Sequence, residues 1–169
     1  MVTISIKEAL NASQRRGRVL LKWVQFINLL GFAIAAYLTY LHFNPTQEAV
    51  CHINDYLNCE VANSSSYSTL WGIPVAMLGL AVYLLLFEMG RAILKEKKWI
   101  RPIGLRSVKG ILVGMFLLAG AGTLFSLYLT YVEFFILGAL CVFCLAQQIL
   151  IFLEVLLLGR ILILNNRSQ

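Results

Sequence analysis

The fold is decided by the stretch from Ile111 to Leu158, which reads ILVGMFLLAGAGTLFSLYLTYVEFFILGALCVFCLAQQILIFLEVLLL. It contains two acids, Glu133 and Glu154, and neither Lys nor Arg. As a single helix these 48 residues would be about 72 Å long, whereas the hydrocarbon core of a bilayer is about 30 Å thick. The chain must therefore cross a membrane twice here, and we expect it to turn back between Glu133 and Gly138.

Two further apolar stretches precede this one. The first is too long for the core of a cleavable signal peptide, and no cleavage site follows it, so we interpret it as a permanent span. Of the 169 residues, 60% are hydrophobic and 13% are charged, whereas soluble domains have about 25% charged residues. The sequence predicts an all-α membrane protein, a four-transmembrane-helix bundle in a single membrane domain of residues 1–169. Its predicted spans are about 20–43, 70–89, 110–132 and 139–158.

The basic residues all lie on one side of this predicted bundle. All 14 Lys and Arg lie in three segments: the N-terminal segment with the start of the first span, the loop 90–109 and the C-terminal tail. The loop 44–69 contains none. By the positive-inside rule, the basic side is cytoplasmic. We therefore expect both termini and the basic loop in the cytoplasm and the loop 44–69 outside it. Because topology explains the net charge of +6, we expect a lipid bilayer and no nucleic acid as partner.

The four cysteines form two pairs, and both pairs are predicted to lie on the extracytoplasmic side. Cys51 and Cys59 lie in the loop 44–69, and Cys141 and Cys144 form a C-x-x-C at the head of the fourth span. Two thiols one helical turn apart can cycle between dithiol and disulfide. Four cysteines allow three connectivities, and the sequence alone does not choose among them. The topology allows the loop to fold over the mouth of the bundle, where the two pairs could exchange.

A redox-active cysteine pair at the edge of a membrane is adjacent to lipid-soluble electron carriers. The sequence therefore predicts that electrons pass from thiols to such a carrier. A quinone needs an apolar slot with one or two polar contacts. The aromatic residues of the spans that could line such a slot are Phe32, Tyr37, Tyr83, Phe125 and Tyr128.

With these features the chain resembles the vitamin K epoxide reductase family, and its bacterial and archaeal members more closely. The likeness covers roughly residues 20–158. It rests on the spacing of the four cysteines, on CEVANSS at 59–65, on GIP at 72–74 and on CVFC at 141–144.

The resemblance implies a thiol:quinone oxidoreductase that supports disulfide bond formation at a prokaryotic inner or plasma membrane. A separate secreted or periplasmic thioredoxin-like partner would attack the loop disulfide at Cys51. Cys59 would then pass electrons to Cys141, and Cys144 would reduce a quinone of the ubiquinone or menaquinone type. Ser65 matches a serine that the family places near this site. Many bacterial members carry a fused thioredoxin-like domain, and we expect none in this chain.

Two positions depart from the vertebrate vitamin K enzymes. Those enzymes have an Asn at the start of the second span, where this chain has Ser68. They also have a Tyr four residues after the last cysteine, where this chain has Gln148. These differences favour quinone reduction coupled to disulfide formation over vitamin K (epoxide or quinone) reductase activity proper.

Other interpretations of the cysteines stay open at this point. The loop pair could be a structural disulfide in a non-catalytic membrane scaffold or a small transporter subunit. All four thiols could instead hold zinc, but the wide spacing of the loop pair disfavours this, and we expect no metal. A second bacterial type of four-span oxidoreductase carries its C-x-x-C in the first outer loop, an order that this chain does not share.

The polar residues of the spans receive simpler interpretations. We interpret Glu133 as a residue of the membrane interface. We expect Glu88 and Glu154, near the cytoplasmic ends of their spans, to pair with neighbouring Arg or Lys. For Gln147 and Gln148, helix packing and ligand contact are equally compatible with the sequence.

Overall fold

The computed structural model describes residues 2–44, 58–95 and 108–167. In this part of the chain, four long helices have the length and apolar composition needed to cross a membrane. They are α1 (Val2–Phe43), α3 (Val75–Leu94), α4 (Val108–Val132) and α5 (Val142–Arg167), and a short helix α2 (Cys59–Ser64) precedes α3. The prediction of an all-α, four-helix membrane bundle is confirmed. Cys51, half of the loop 44–69 and most of the basic loop 90–109 lie outside the described residues.

The second span begins later than the sequence suggests. The sequence predicts this span at residues 70–89. A hairpin of two short strands, β1 (Thr69–Leu70) and β2 (Ile73–Pro74), occupies the start of that range and precedes the helix. Its two-residue turn places Trp71 at φ 51° and Gly72 at φ 81°, the left-handed backbone that tight hairpins require. Helix α3 therefore starts only at Val75.

The last two spans are joined by a turn of π-helix, Glu133–Leu137, that continues directly from α4. Gly138 then adopts φ 62°, a left-handed conformation that ends the helix. Glycine adopts this conformation at little cost because it has no Cβ. Four residues later the chain enters α5 at Val142. The helical conformation thus ends at Gly138, the last residue of the segment 133–138 in which the turn is predicted.

The core of the bundle is formed where α1 packs against α3 and α5, and α5 against α4. Gly31 of α1 leaves no room for a Cβ, because the Tyr83 ring of α3 lies directly against it. The fully buried members of this core include Val24, Leu86, Met115 and Leu158.

A buried polar pair also connects α1 to α5. Asn28 Nδ2 donates to Glu154 Oε1 at 3.0 Å, and both side chains are fully buried. This bond corrects the expectation that Glu154 pairs with Arg or Lys. The expectation for Glu88 is confirmed, since its carboxylate lies 3.1 Å from Arg91 Nη1 on the same helix.

Candidate active site

Cys141 and Cys144 form a disulfide at the N-terminus of α5, with their Cα atoms 5.1 Å apart. The backbone N–H of Cys144 donates to Cys141 Sγ at 3.1 Å, so Cys141 acts as the N-cap of the helix. The position of the C-x-x-C at the head of the last span therefore follows from local structure. Gly138, which ends the π-helical turn after α4, and the first turn of α5 fix where the two sulfurs lie.

Cys59 opens helix α2 and lies against this disulfide. Asn58 caps α2 with its side-chain oxygen, which accepts from the N–H groups of Glu60 and Val61 at 3.0 and 3.3 Å. The backbone N–H of Asn58 donates to the carbonyl of Leu140 at 3.1 Å. This single bond joins the residue before Cys59 to the residue before Cys141.

Two hydrogen bonds to α1 hold α2 in this place. Asn63 Nδ2 donates to the carbonyl of Leu38 at 3.1 Å, and the His42 ring lies 3.0 Å from the carbonyl of Asn63. One bond uses the side chain of Asn63 and the other its backbone carbonyl. Both attach α2 to α1, so any movement of α2 away from its place beside α5 would break them.

Cys59 and Cys141 share one buried cluster, which we call the cysteine cluster. Its members are Leu38, Leu41, Cys59, Ala62 and Cys141, with Cys144 and Phe143 packed at its edge. Both Cys59 and Cys141 are 0% exposed. Cys59 is itself disulfide-bonded, while Cys51 lies outside the described residues. Of the four predicted catalytic cysteines, the structure thus brings three together in a water-poor environment.

A cavity of about 320 Å³ lies beside the cysteine cluster. Residues of α3, α4 and α5 line it, together with residues of α2 and of the helical turn Ser66–Ser68 that follows α2. Cys144 and the predicted Ser65 both line it. The Ser65 hydroxyl donates to the carbonyl of Ala62 at 2.8 Å. Tyr83 and Phe125, two of the five aromatic residues that the sequence suggests for a quinone slot, also line the cavity. Its size falls within the range of small-molecule sites, about 300–1,000 Å³.

The two glutamines of α5 have different environments. Gln147 lines the cavity, and its Nε2 donates to the carbonyl of Gly31 at 3.3 Å. Gln148 Oε1 accepts hydrogen bonds from the hydroxyls of Ser126 and Thr130 of α4. Gln147 is therefore the one available to a ligand, and Gln148 connects two helices.

The structure also reveals the surroundings of Glu133, which the sequence does not predict. Glu133 is only 5% exposed, and its Oε2 accepts the backbone N–H of Cys141 at 3.0 Å. A Glu133 carboxylate oxygen and the sulfurs of Cys141 and Cys144 all lie within 4.8 Å of one another. These atom types could also hold a metal ion, but here the two sulfurs are bonded to each other. The available signal was an acid eight residues before a cysteine in a nearly uncharged stretch.

The membrane-spanning bundle has a disulfide at the head of its last helix, and a third cysteine and an apolar cavity lie beside this disulfide. This arrangement is typical of membrane proteins that carry out thiol redox chemistry. The vitamin K epoxide reductase family model matches residues 22–158, most of the chain. The protein belongs to the vitamin K epoxide reductase family, as its cysteine spacing suggested, and is an integral membrane protein. Membership implies oxidoreductase chemistry between thiols and quinones in general.

Proposed function

We propose that this protein is a membrane thiol:quinone oxidoreductase that re-oxidises a separate thioredoxin-like partner outside the cytoplasm. The observation that carries the proposal is the order of the sulfurs. Cys59 packs with Cys141 in the cysteine cluster, while Cys144, bonded to Cys141, lines the neighbouring cavity. Electrons that arrive at Cys59 thus have a short path to the cavity.

The relay consists of thiol–disulfide exchanges. A thiolate of the partner attacks the loop disulfide at Cys51 and releases Cys59. The partner's second thiol attacks the mixed disulfide, which leaves the partner oxidised and frees the Cys51 thiolate. The Cys59 thiolate attacks Cys141 and releases Cys144. The Cys51 thiolate then attacks Cys59, which re-forms the Cys51–Cys59 disulfide and releases Cys141 as the second thiol of the reduced pair. When the dithiol is oxidised again, its two electrons and two protons pass to a quinone, which becomes a hydroquinone. Every step exchanges S–S and S–H bonds except the last.

The cavity suits the ring of a quinone of the ubiquinone or menaquinone type. Most of its lining is apolar, which matches a lipid-soluble ring, and Ser65, Gln147 and Tyr83 supply polar groups for orientation. We propose that the isoprenoid tail leaves towards the lipid between α3 and α4, which contribute many of the residues that line the cavity.

The same geometry supports quinone reduction over vitamin K epoxide reduction. The Ser68 hydroxyl donates to the carbonyl of Ser65 at 2.8 Å. Gln148, at the position of the vertebrate tyrosine, is hydrogen-bonded by α4 hydroxyls. At these two positions, therefore, neither the amide nor the phenol of the vertebrate enzymes faces a ligand.

The charge pattern supports a location for the relay. We place the cysteine cluster on the extracytoplasmic side of a prokaryotic inner or plasma membrane, because four spans assign all 14 basic residues of the sequence to the opposite side. That compartment is oxidising, so a disulfide-forming enzyme has its substrates there.

The test is a spectrum recorded on mixing quinone with the purified protein, after reduction with a dithiol and removal of the reductant. We expect the quinone absorbance to fall as hydroquinone forms, up to two equivalents per protein when both cysteine pairs start reduced. The matched control is the same preparation with its thiols alkylated, which should consume none. A non-catalytic scaffold would leave the spectrum unchanged in both samples, and that result would overturn the proposal.

A further inference from the structure

Two carboxylates are buried in the described part of the chain, and one of them faces the reacting groups. Glu154 accepts a hydrogen bond from Asn28 and does not line the cavity. Glu133 lines the same cavity as Cys144 and accepts the N–H of Cys141. An ionisable side chain inside a membrane span is costly and usually has a function. Glu133 is therefore the buried acid whose position needs a chemical explanation.

Quinone reduction by a dithiol requires protons to move as well as electrons. The attacking thiol must lose its proton, because the thiolate is the nucleophile, and the quinone oxygens must gain protons. Cys141 is 0% exposed and Glu133 5% exposed, so bulk water has little access to this point. A fixed side chain that accepts a proton and releases it again would replace the missing water.

Glu133 has the right position for this transfer. One of its carboxylate oxygens lies within 4.8 Å of both sulfurs. Opening the disulfide frees the cysteine side chains to rotate, and the proposed transfer requires a thiol to come closer to this oxygen. The other titratable groups that line the cavity are Cys144 of α5, Tyr83 of α3 and Tyr67 of the turn Ser66–Ser68. Tyr83 donates its hydroxyl to the carbonyl of Gln147 at 3.4 Å, and Tyr67 is 41% exposed. Among these groups, the carboxylate is the strongest candidate for a base.

We propose that Glu133 carries protons from the Cys141–Cys144 dithiol to the oxygens of the quinone in the cavity. In one turnover both S–H bonds break, the S–S bond forms, and two electrons and two protons pass to the quinone. The carboxylate ends each turnover in its starting state, so no further reactant is needed. The inference deepens the proposed function and rests on it.

The alternative is that Glu133 only holds Cys141 in place through its bond to the backbone N–H. Glu133→Gln separates the two roles, because the amide oxygen can still accept this N–H but the amide cannot carry a proton. Glu154→Gln is the matched control, since it neutralises the other buried carboxylate and does not line the cavity.

The experiment measures single-turnover quinone reduction by the pre-reduced protein over a range of pH. For Glu133→Gln we expect a rate about 100-fold lower near neutral pH, within the range of general acid–base catalysis. The deficit should shrink as the pH rises, because thiols then ionise without a base. Exchange between a soluble dithiol and the oxidised protein, measured without quinone, should change by less than about two-fold, and Glu154→Gln should match the wild type.

Three results would overturn the assignment. They are an unchanged quinone rate in Glu133→Gln, a deficit that is the same at every pH, and an equal loss in the exchange reaction without quinone. The last two would show a structural role. A wild-type protein that consumes no quinone would instead refute the proposed function itself, so the two failures can be told apart.

Discussion

Replacing Cys144 by Ser is expected to abolish quinone reduction while the protein still inserts and folds. Cys144 is the cysteine that lines the cavity, and its sulfur is the one that meets the quinone in the proposed relay. A serine hydroxyl fills nearly the same space but is neither a strong nucleophile at neutral pH nor able to form a disulfide. Loss of a nucleophile costs roughly 1,000-fold or more in rate. The measurement is the fall in quinone absorbance with a soluble dithiol as electron donor.

Val142→Ala is the control for this variant. Val142 lies in the same first turn of α5, is 37% exposed and does not line the cavity, so its truncation should leave the rate within about two-fold of the wild type. If Cys144→Ser turned over quinone as fast as Val142→Ala, the role given to Cys144 would be wrong, and the electrons would have to leave by another residue.

Removing Cys59 is expected to trap the partner on Cys51. The probe is a thioredoxin-like protein that retains only its nucleophilic cysteine, activated as a mixed disulfide with a small aromatic thiol. In reduced Cys59→Ala, Cys51 attacks the activated sulfur, expels the aromatic thiol and stays joined to the partner. In the reduced wild type, Cys59 displaces the partner by exchange, so little adduct remains.

Non-reducing electrophoresis followed by mass spectrometry measures this adduct. We expect most of the Cys59→Ala protein and only a small fraction of the wild type to carry the partner. A Cys51→Ala/Cys59→Ala protein supplies the background, since it retains only the Cys141–Cys144 pair. An adduct yield for Cys59→Ala no higher than that background would contradict the first step of the relay.

The spans could be predicted from the sequence because apolar length is a local property. A run of about 20 apolar residues indicates a membrane helix whatever packs against it. The start of α3 was placed too early for the same reason. Leu70 and Ile73 are as apolar as the helix that follows, and hydropathy does not distinguish a strand from a helix. Both residues of the hairpin turn have left-handed backbone, which is ordinary for Gly72 and uncommon for Trp71, so the sequence around Trp71 does not predict the turn.

The surroundings of the cysteines depend on contacts between distant parts of the chain. The bond from Asn58 to Leu140 joins residues 82 positions apart, and no local pattern predicts it. From the sequence alone, Glu133 is an acid at the end of a span, and no local pattern predicts that it is buried against Cys141. Its burial results from the π-helical turn, which carries the side chain back towards the head of α5. The sidedness of the bundle stays a prediction from the charge pattern.

Disulfide mapping of a Cys51→Ser/Cys144→Ser protein would show whether the two pairs communicate. This variant keeps only Cys59 and Cys141, which lie in one buried cluster. After mild oxidation we expect a Cys59–Cys141 disulfide within single molecules, detected by mass spectrometry as a cross-linked peptide pair that reduction separates. If both thiols were instead recovered free, or linked only between molecules, electrons could not pass from the loop to the last helix as proposed.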